Sequence, residues 1–463
     1  MNRNLRTIGL YALGTLLISG SNFATTPLLV HLLGTGGFSR WAAIEPLILL
    51  VIPLAGLGIQ HGLLNQLPRD GSAAQRLLPW HVLSALGMTT LLALGMTVSG
   101  WPIRLGLLAA GIAAIEGMIV FQIAWWRATG RPGAYAIREG GRAVLIALAL
   151  AAIALLAGPS LSLDGYLILR LALGATFLLP ALLAVNWPWS PDPAKAGKAI
   201  AYGLPIVLAS AIVVALMNFD RYAVLAIASN ADLTAYVAHA RLAQVLGPAL
   251  APFFFWLAPL AVARLHAKTA DTGFFGASFF GFAGADLALT LALWLLAPAL
   301  WPILFPGIAF DPLLFGLFLA GMAVFACGNP LSLGSLREGR TATALVVTGL
   351  AALAGLCAIA LLAPRWGVHG IAAGKTVGLC AYALGFALHT RRTLSIAYPW
   401  PAIAIVTGLT VILAVALYPL AARLAFPAAS ALAATAAAFV LFAAWSIWRL
   451  RPDFAGKTGS APP

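Results

Sequence analysis

Residues 341–363 read TATALVVTGLAALAGLCAIALLA, residues 364–366 read PRW, and residues 367–390 read GVHGIAAGKTVGLCAYALGFALHT, followed by Arg391 and Arg392. The first run has no Lys, Arg, Asp or Glu, and the second has only Lys375. Each run is long enough to cross a hydrocarbon core, which takes about 20 mostly apolar residues. The connector between them is too short for anything but an immediate return. Two arginines then close the second run with a basic end, the usual mark of a cytoplasmic boundary. The stretch predicts two successive membrane-spanning helices.

The same alternation runs through the whole chain. Apolar residues make up 62% of the 463 positions and charged residues 9%, against roughly 25% charged in a soluble domain. So little charge cannot cover a soluble surface, which excludes a cytosolic enzyme, a secreted disulfide scaffold and a disordered chain. At roughly 31–35 residues per span with its connector, the length predicts about 13–15 spans. The apolar runs place fourteen, near 7–33, 41–66, 77–99, 103–126, 138–158, 163–186, 199–229, 233–262, 274–298, 311–334, 341–363, 367–390, 400–422 and 426–448.

The net charge of +14 points to topology and not to nucleic acid, because the basic residues alternate sides. With a cytoplasmic N-terminus, 19 of the 27 Lys and Arg fall at inside positions, including Arg127, Arg131, Arg138 and Arg142. Four fall outside: Arg40, Arg104, Arg365 and Arg423. This bias predicts both termini in the cytoplasm. The first 22 residues start like a secretory signal but lack an A-x-A-like cleavage site, so they read as a retained first helix. Cys327, Cys357 and Cys380 lie in apolar runs and read as small buried residues, with no redox or metal role.

Ser21-Asn22-Phe23 in span 1 and Met217-Asn218-Phe219 in span 7 are followed by similar apolar half-helices and outer turns. This predicts a duplication of six spans about an axis along the membrane normal. The expected organisation is an N-lobe over 1–190, a C-lobe over 191–392, two further spans over 393–449 and a disordered cytoplasmic tail over 450–463. The Pro-rich stretch 187–199 is the expected lobe boundary.

No P-loop, HExxH, CxxC or GxSxG occurs, so the chain reads as a transporter and not an enzyme. A non-transporting scaffold for glycan assembly is the other class. In a transporter, ionisable groups within spans are the informative ones, because burying them costs several kcal/mol unless they are paired or hydrated. Arg170, Arg221, Arg241 and Lys375 are candidates for contacting an anionic head group, since Arg in particular donates to phosphate in a bidentate way. Asp220 and Arg241 lie at similar depth, about 12–14 Å below the outer surface, which also allows an interhelical clamp. Asp220 and Arg221, about 100° apart on one helix, cannot share a face. Glu116 and Asp286 have no obvious local partner and are, with Asp220, candidates for ion coupling or a structural carboxylate. Glu45 lies about one turn inside span 2. His61 and His239 read as packing residues. The aromatic runs Phe253–Trp256, Phe274-Phe275 and Phe279-Phe280 read as an interfacial belt, and Pro205, Pro248, Pro252, Pro298 and Pro330 as kinks.

Gly203-Leu204-Pro205, Asn218-Phe219-Asp220-Arg221, Ala235-Tyr236 and Ala240-Arg241-Leu242 together resemble the opening of the second lobe in Wzx-type polysaccharide flippases. These belong to the MOP (multidrug/oligosaccharidyl-lipid/polysaccharide) exporter superfamily. Thr234 stands where that pattern usually has glycine. Pro27-Leu28-Leu29, Leu32-Leu33-Gly34 and Phe38-Ser39-Arg40-Trp41 are similar to the family's first outer turn, and Gly367–Ala373 to the start of its twelfth span.

The resemblance implies an all-α, MATE-like fold of two six-helix lobes plus two C-terminal helices, and transport by alternating access. The implied substrate is an undecaprenyl-pyrophosphate-linked oligosaccharide, flipped across a bacterial inner membrane for O-antigen, capsule or exopolysaccharide assembly. Membrane lipids and the polysaccharide polymerase machinery are the implied partners. No cofactor or metal is expected, and a proton or sodium gradient would drive the cycle. The alternative within the same superfamily is a MATE-type cation-coupled multidrug antiporter. Span 11 lacks the acid of the sodium site in the related lipid II flippases, and span 1 has Asn22 where drug exporters often have a carboxylate.

Overall fold

The computed structural model describes residues 3–67, 70–158, 161–183, 190–251, 253, 257, 272–332, 341–394, 396 and 398–449. Every regular element among them is helical. We number them α1 (Arg3–Leu54), α2 (Ile59–Gln66), α3 (Ala73–Val98), α4 (Ile103–Ala128) and α5 (Pro132–Tyr135). A π-helical turn, Ala136–Gly140, leads into α6 (Gly141–Ala157). There follow α7 (Leu163–Leu183), α8 (Pro193–Asn218), α9 (Asp220–Ile227), α10 (Asn230–Gln244), α11 (Thr272–Leu304), α12 (Pro312–Leu331), α13 (Thr341–Thr393), α14 (Trp400–Ala421) and α15 (Phe426–Arg449).

Among the described residues, 10 helices are long and apolar enough to cross a membrane. Two of these, Gly9–Leu54 and Ala342–Thr393, have 46 and 52 residues. Straight helices of that length would be roughly twice the thickness of a hydrocarbon core of about 30 Å. Each instead contains a non-helical glycine, Gly34 (φ 63°, ψ 177°) and Gly367 (φ 55°, ψ −131°). A side chain on Gly370 would collide with the backbone of Leu362 and Ala363, and one on Gly374 with Ile359. Residues 359–363 and 370–374 of α13 therefore lie against each other across Gly367, as a helical hairpin requires. The turn differs from expectation: 364–366 are helical, and the reversal falls on Gly367 alone.

Two expected spans depart from regular helix. The span expected over 41–66 stops at Leu54, directly after Pro53, and resumes as α2 beyond the turn 55–58, where Gly58 has φ 90°. The span expected over 199–229 starts earlier, at Pro193, and is irregular at Phe219 between α8 and α9, where the backbone keeps helical angles (φ −80°, ψ −12°). Proline removes a backbone donor in the first case. In the second, the Asn218 side chain donates to Val214 O (2.9 Å) at the end of α8.

The chain divides into two compact units, Met1–Val237 with Thr341–Ala352, and Ala238–Arg340 with Leu353–Pro463. In the first, α2, α3, α4 and α8 share a core that includes Leu63, Leu77, Phe121 and Ala199. Here α2 crosses α8 at backbone contact. A Cβ on Gly203 would lie 2.0 Å from Gly58 O, and one on Gly62 2.3 Å from the Ala199 side chain. In the second unit, α11 packs on α14 and α15 through Leu291, Leu295, Val406, Ala433, Ala436 and Val440. The alanines of α15 permit this close approach, as small residues do wherever helices pack without a hydrophobic effect between them.

Leu155, Leu156, Leu361 and Val415 are among the large apolar side chains that point outward, as expected where lipid replaces water. Cys357 and Cys380 are likewise exposed and only Cys327 is partly buried, so the expectation of three buried cysteines is corrected. An apolar run does not imply burial when the solvent is itself apolar. Phe254–Trp256, Pro252, Arg69, Arg264, Lys268, Arg337, Arg340, residues 187–189 of the expected linker and the expected tail 450–463 lie outside the described residues.

Candidate transport site

Glu116 sits near the middle of α4 and is held by two arginines. Arg142 donates Nη1 to Oε1 (2.8 Å) and Nη2 to Oε2 (3.0 Å), a bidentate pair. Arg170, on α7, donates Nη2 to Oε1 at 3.3 Å. Arg142 also donates to Glu139 Oε2 through Nη2 (3.0 Å) and Nε (3.3 Å). The Arg170 guanidinium lies 5.4 Å from the Trp41 ring centroid, in the range of a cation–π contact.

A second cluster forms where α8 ends. Arg221 donates Nη1 to Glu45 Oε2 (2.8 Å) and to Ala42 O (3.2 Å), and Nη2 to Asn218 Oδ1 (2.9 Å). Tyr222 donates to Ala43 O at 2.6 Å. Asp220 turns to the other side, where Tyr236 donates Oη to its Oδ2 at 2.6 Å. The 100° step between neighbouring helical residues thus sends Arg221 to the second half of α1 and Asp220 to α10.

Glu45 joins the clusters. It pairs with Arg221 and also acts electrostatically on Arg170. Glu139, Arg142, Glu116, Arg170, Glu45 and Arg221 form one continuous series of three carboxylates and three guanidiniums, all in the first unit. The series is close to neutral. Its charges are mutually compensated, the condition for holding ions at this depth.

Sequence reasoning left Glu116 without a partner and assigned Arg142 to a cytoplasmic loop. Both readings are corrected. Arg142 lies on the interior side of the π-helical turn, its side chain 12% exposed, and neutralises Glu116. Glu139 was missed altogether, and Tyr236 was read only as part of a motif and not as the partner of Asp220. The Glu139–Arg142 spacing is an i,i+3 pair legible in the sequence, and single-turn π segments often mark functional sites.

The remaining candidates lie in the second unit. Arg241 donates to Gln244 Oε1 at 3.2 Å. Lys375 is 3% exposed, with its ammonium 5.4 Å from the Phe318 ring centroid. Asp286 on α11 is 2% exposed and accepts from the Cys327 thiol at 3.5 Å. Asp311 caps α12 by accepting from Leu314 N–H (2.9 Å), pairs with His369 (2.7 Å), and donates its own N–H to His239 Nε2 (2.9 Å). Partial burial raises the Asp311 pKa, but the Leu314 N–H and His369 outweigh it and hold the carboxyl below its ordinary value. His239 is fully buried 4.0 Å from the Trp301 ring, so it packs and bonds as expected. Among the described residues no group of three or more His, Cys, Asp or Glu could hold a metal ion.

No protein-family model matches the chain, and no curated protein sequence matches it. Solved structures do. The chain is similar to the lipid II flippase MurJ in an inward closed conformation, with 10% identity and a TM-score of 0.73 over 96% of this chain and 100% of that one. It is similar to a mutant of the Vibrio cholerae MATE transporter VcmN, with 15% identity and a TM-score of 0.62 over 85% and 96%. It is also similar to MATE in complex with MaL6, with 13% identity and a TM-score of 0.62 over 85% and 97%. At such identities the likeness establishes architecture: this multi-pass chain has the fold of the MATE transporters and the MurJ lipid II flippase, the fold that its Wzx-like motifs imply.

Proposed function

We propose that the chain is a flippase for an undecaprenyl-pyrophosphate-linked oligosaccharide, working by alternating access in a bacterial inner membrane with both termini in the cytoplasm. The observation that carries this reading is the buried series of paired arginines and carboxylates in the first unit. A guanidinium presents the same fork to a phosphate as to a carboxylate. An arriving pyrophosphate would therefore take over donors that Glu45 and Glu116 occupy in the empty protein. Pre-pairing keeps those cations from being left buried and uncompensated between cycles. Arg221 and Arg170 are the residues assigned to the head group, and an ion gradient supplies the energy.

The likeness to a lipid flippase over 96% of the chain supports the reading. The MATE likeness covers 85% of the chain. That same likeness is what favours the second reading, a cation-coupled multidrug antiporter.

Deleting the gene and measuring the membrane pool of lipid-linked oligosaccharides by mass spectrometry separates the two. The flippase reading expects accumulation of a cytoplasm-facing lipid-linked glycan and loss of a surface polysaccharide. It also expects Arg221→Ala to reproduce both while the protein remains inserted. An unchanged lipid pool with intact glycans, together with increased drug susceptibility, would move the assignment to the antiporter.

A further inference from the structure

Asp286 differs from every other intramembrane carboxylate described above. It lies fourteen residues beyond the start of α11, in the middle of a span, and is 2% exposed. Among the described residues, its Oδ2 accepts only from the Cys327 thiol, a weak donor. Its Oδ1 is buried without a hydrogen-bond partner. One turn further along the same face, at i+4, the Thr290 Oγ1 is also buried without a partner.

Among the described residues no cation balances this acid. Asp286 is the only Lys, Arg, His, Asp or Glu in α11. Of the described segments packed on α11, α12 contributes Cys327 as its one ionisable side chain, α14 contributes Tyr418, α15 contributes Arg449, and the segment that precedes α14 contributes Tyr398, which meets α11 at Phe279, while Phe253 meets it at Phe282. Tyr418 stacks on Trp294, two turns beyond Asp286 along α11. Arg449 lies over Trp445 at the end of α15, and no ion pair with Asp286 forms. Around Asp286 the wall is apolar, from Phe280 through Ala288 to Leu291.

An ionised carboxylate here would be a buried charge with one weak donor and no counter-ion, which is prohibitively costly. A sodium ion would require several hard oxygen ligands. The site has one carboxylate, one hydroxyl and a soft thiol. A proton satisfies it with nothing further. We infer that Asp286, with Cys327 and Thr290 beside it, is a proton-binding site, loaded in the conformation described here and emptied when the second unit opens it to water. Its coupling role rests on the transport reading above, and it specifies the driving ion as a proton.

The proton is read directly by infrared spectroscopy of the purified full-length protein in lipid vesicles. The carbonyl stretch of a protonated carboxyl should disappear in Asp286→Asn and persist in Glu116→Gln. The Cys327 S–H stretch, displaced by its bond to Asp286, should move in Asp286→Leu to the position of the lipid-facing Cys357 and Cys380. A carboxyl band indifferent to Asp286→Asn, or a Cys327 band indifferent to Asp286→Leu, would overturn the site. For coupling, Asp286→Asn, which mimics the loaded state, should lose acceleration of lipid-linked oligosaccharide movement by an imposed pH gradient while retaining gradient-free exchange. Retained acceleration would overturn the coupling role. A wild-type protein that moves no such lipid but shows the Asp286 band would refute the flippase reading and leave the proton site standing.

Discussion

The two units treat buried charge in opposite ways. In the first, six ionisable side chains on several helices neutralise one another, and Glu116 alone accepts from two guanidiniums. In the second, Asp286 sits among apolar side chains with a thiol as its only donor among the described residues. The same desolvation cost acts on both. Pairing meets it with fixed geometry, which suits recognition of a charged head group. Protonation meets it with a reversible change of charge, which suits energy coupling. The contrast predicts that charge removal is severe at Glu116 and mild at Asp286.

The largest effect is expected at Glu116. Glu116→Ala leaves Arg142 with only Glu139, and Arg170 with the more distant Glu45. Breaking a buried ion pair from one side costs about 3–5 kcal/mol. Thermal unfolding in detergent should show a large loss of stability for Glu116→Ala, partly restored when Arg142→Met is added, because the second change removes the stranded cation. Asp286→Asn should cost less than about 1 kcal/mol, since it replaces one neutral hydrogen-bonding group with another. Equal losses at the two positions would break the comparison.

A contact in the first unit that involves no charge gives the next effect. Gly203→Val would place a side chain within 2.0 Å of Gly58 O, and a backbone carbonyl cannot swing aside as a side chain can. Overpacking of this kind costs about 1–3 kcal/mol. The melting temperature of Gly203→Val in detergent should fall accordingly, and an unchanged one would mean that α2 and α8 do not meet at this contact.

Much of this was legible in the sequence, and what was hidden has physical causes. The run 341–392 shows its own hairpin, because two apolar lengths and a short connector admit few other arrangements. The turn shrinks to Gly367 because a glycine at positive φ reverses the chain without help from its neighbours. The divergence of Asp220 and Arg221 follows from helical geometry alone. Arg142 was misplaced because the positive-inside pattern assigns every basic residue near a span end to the cytoplasm. That pattern does not register a carboxylate deep in another helix. Glu116 therefore seemed isolated, since its partner is 26 positions away in the chain. Nothing in the sequence distinguishes Glu116 from Asp286. Only their neighbours in space do.

The smallest expected effect lies outside the membrane-spanning segments, where water screens charge and pairing should matter least. Asp70 pairs with Lys195, accepts from Ser72 N–H (3.0 Å) and Oγ (2.6 Å), and lies 3.9 Å from Arg76. Lys195, followed by Ser72, holds its carboxyl well below the ordinary value of 3.8. A carboxyl whose pKa is depressed on folding adds stability that is fully present above the unfolded value, and that stability is lost as pH falls through the folded one. The contribution should therefore be constant from neutral pH down to about pH 5 and decline only in stronger acid. The side chain is 28% exposed, so solvent keeps it small. Asp70→Asn should leave the melting temperature nearly unchanged in high salt, lower it slightly in low salt at neutral pH, and flatten the acid limb of the stability curve. A loss at neutral pH as large as that of Glu116→Ala would mean that depth in the membrane is not what sets the strength of these pairs.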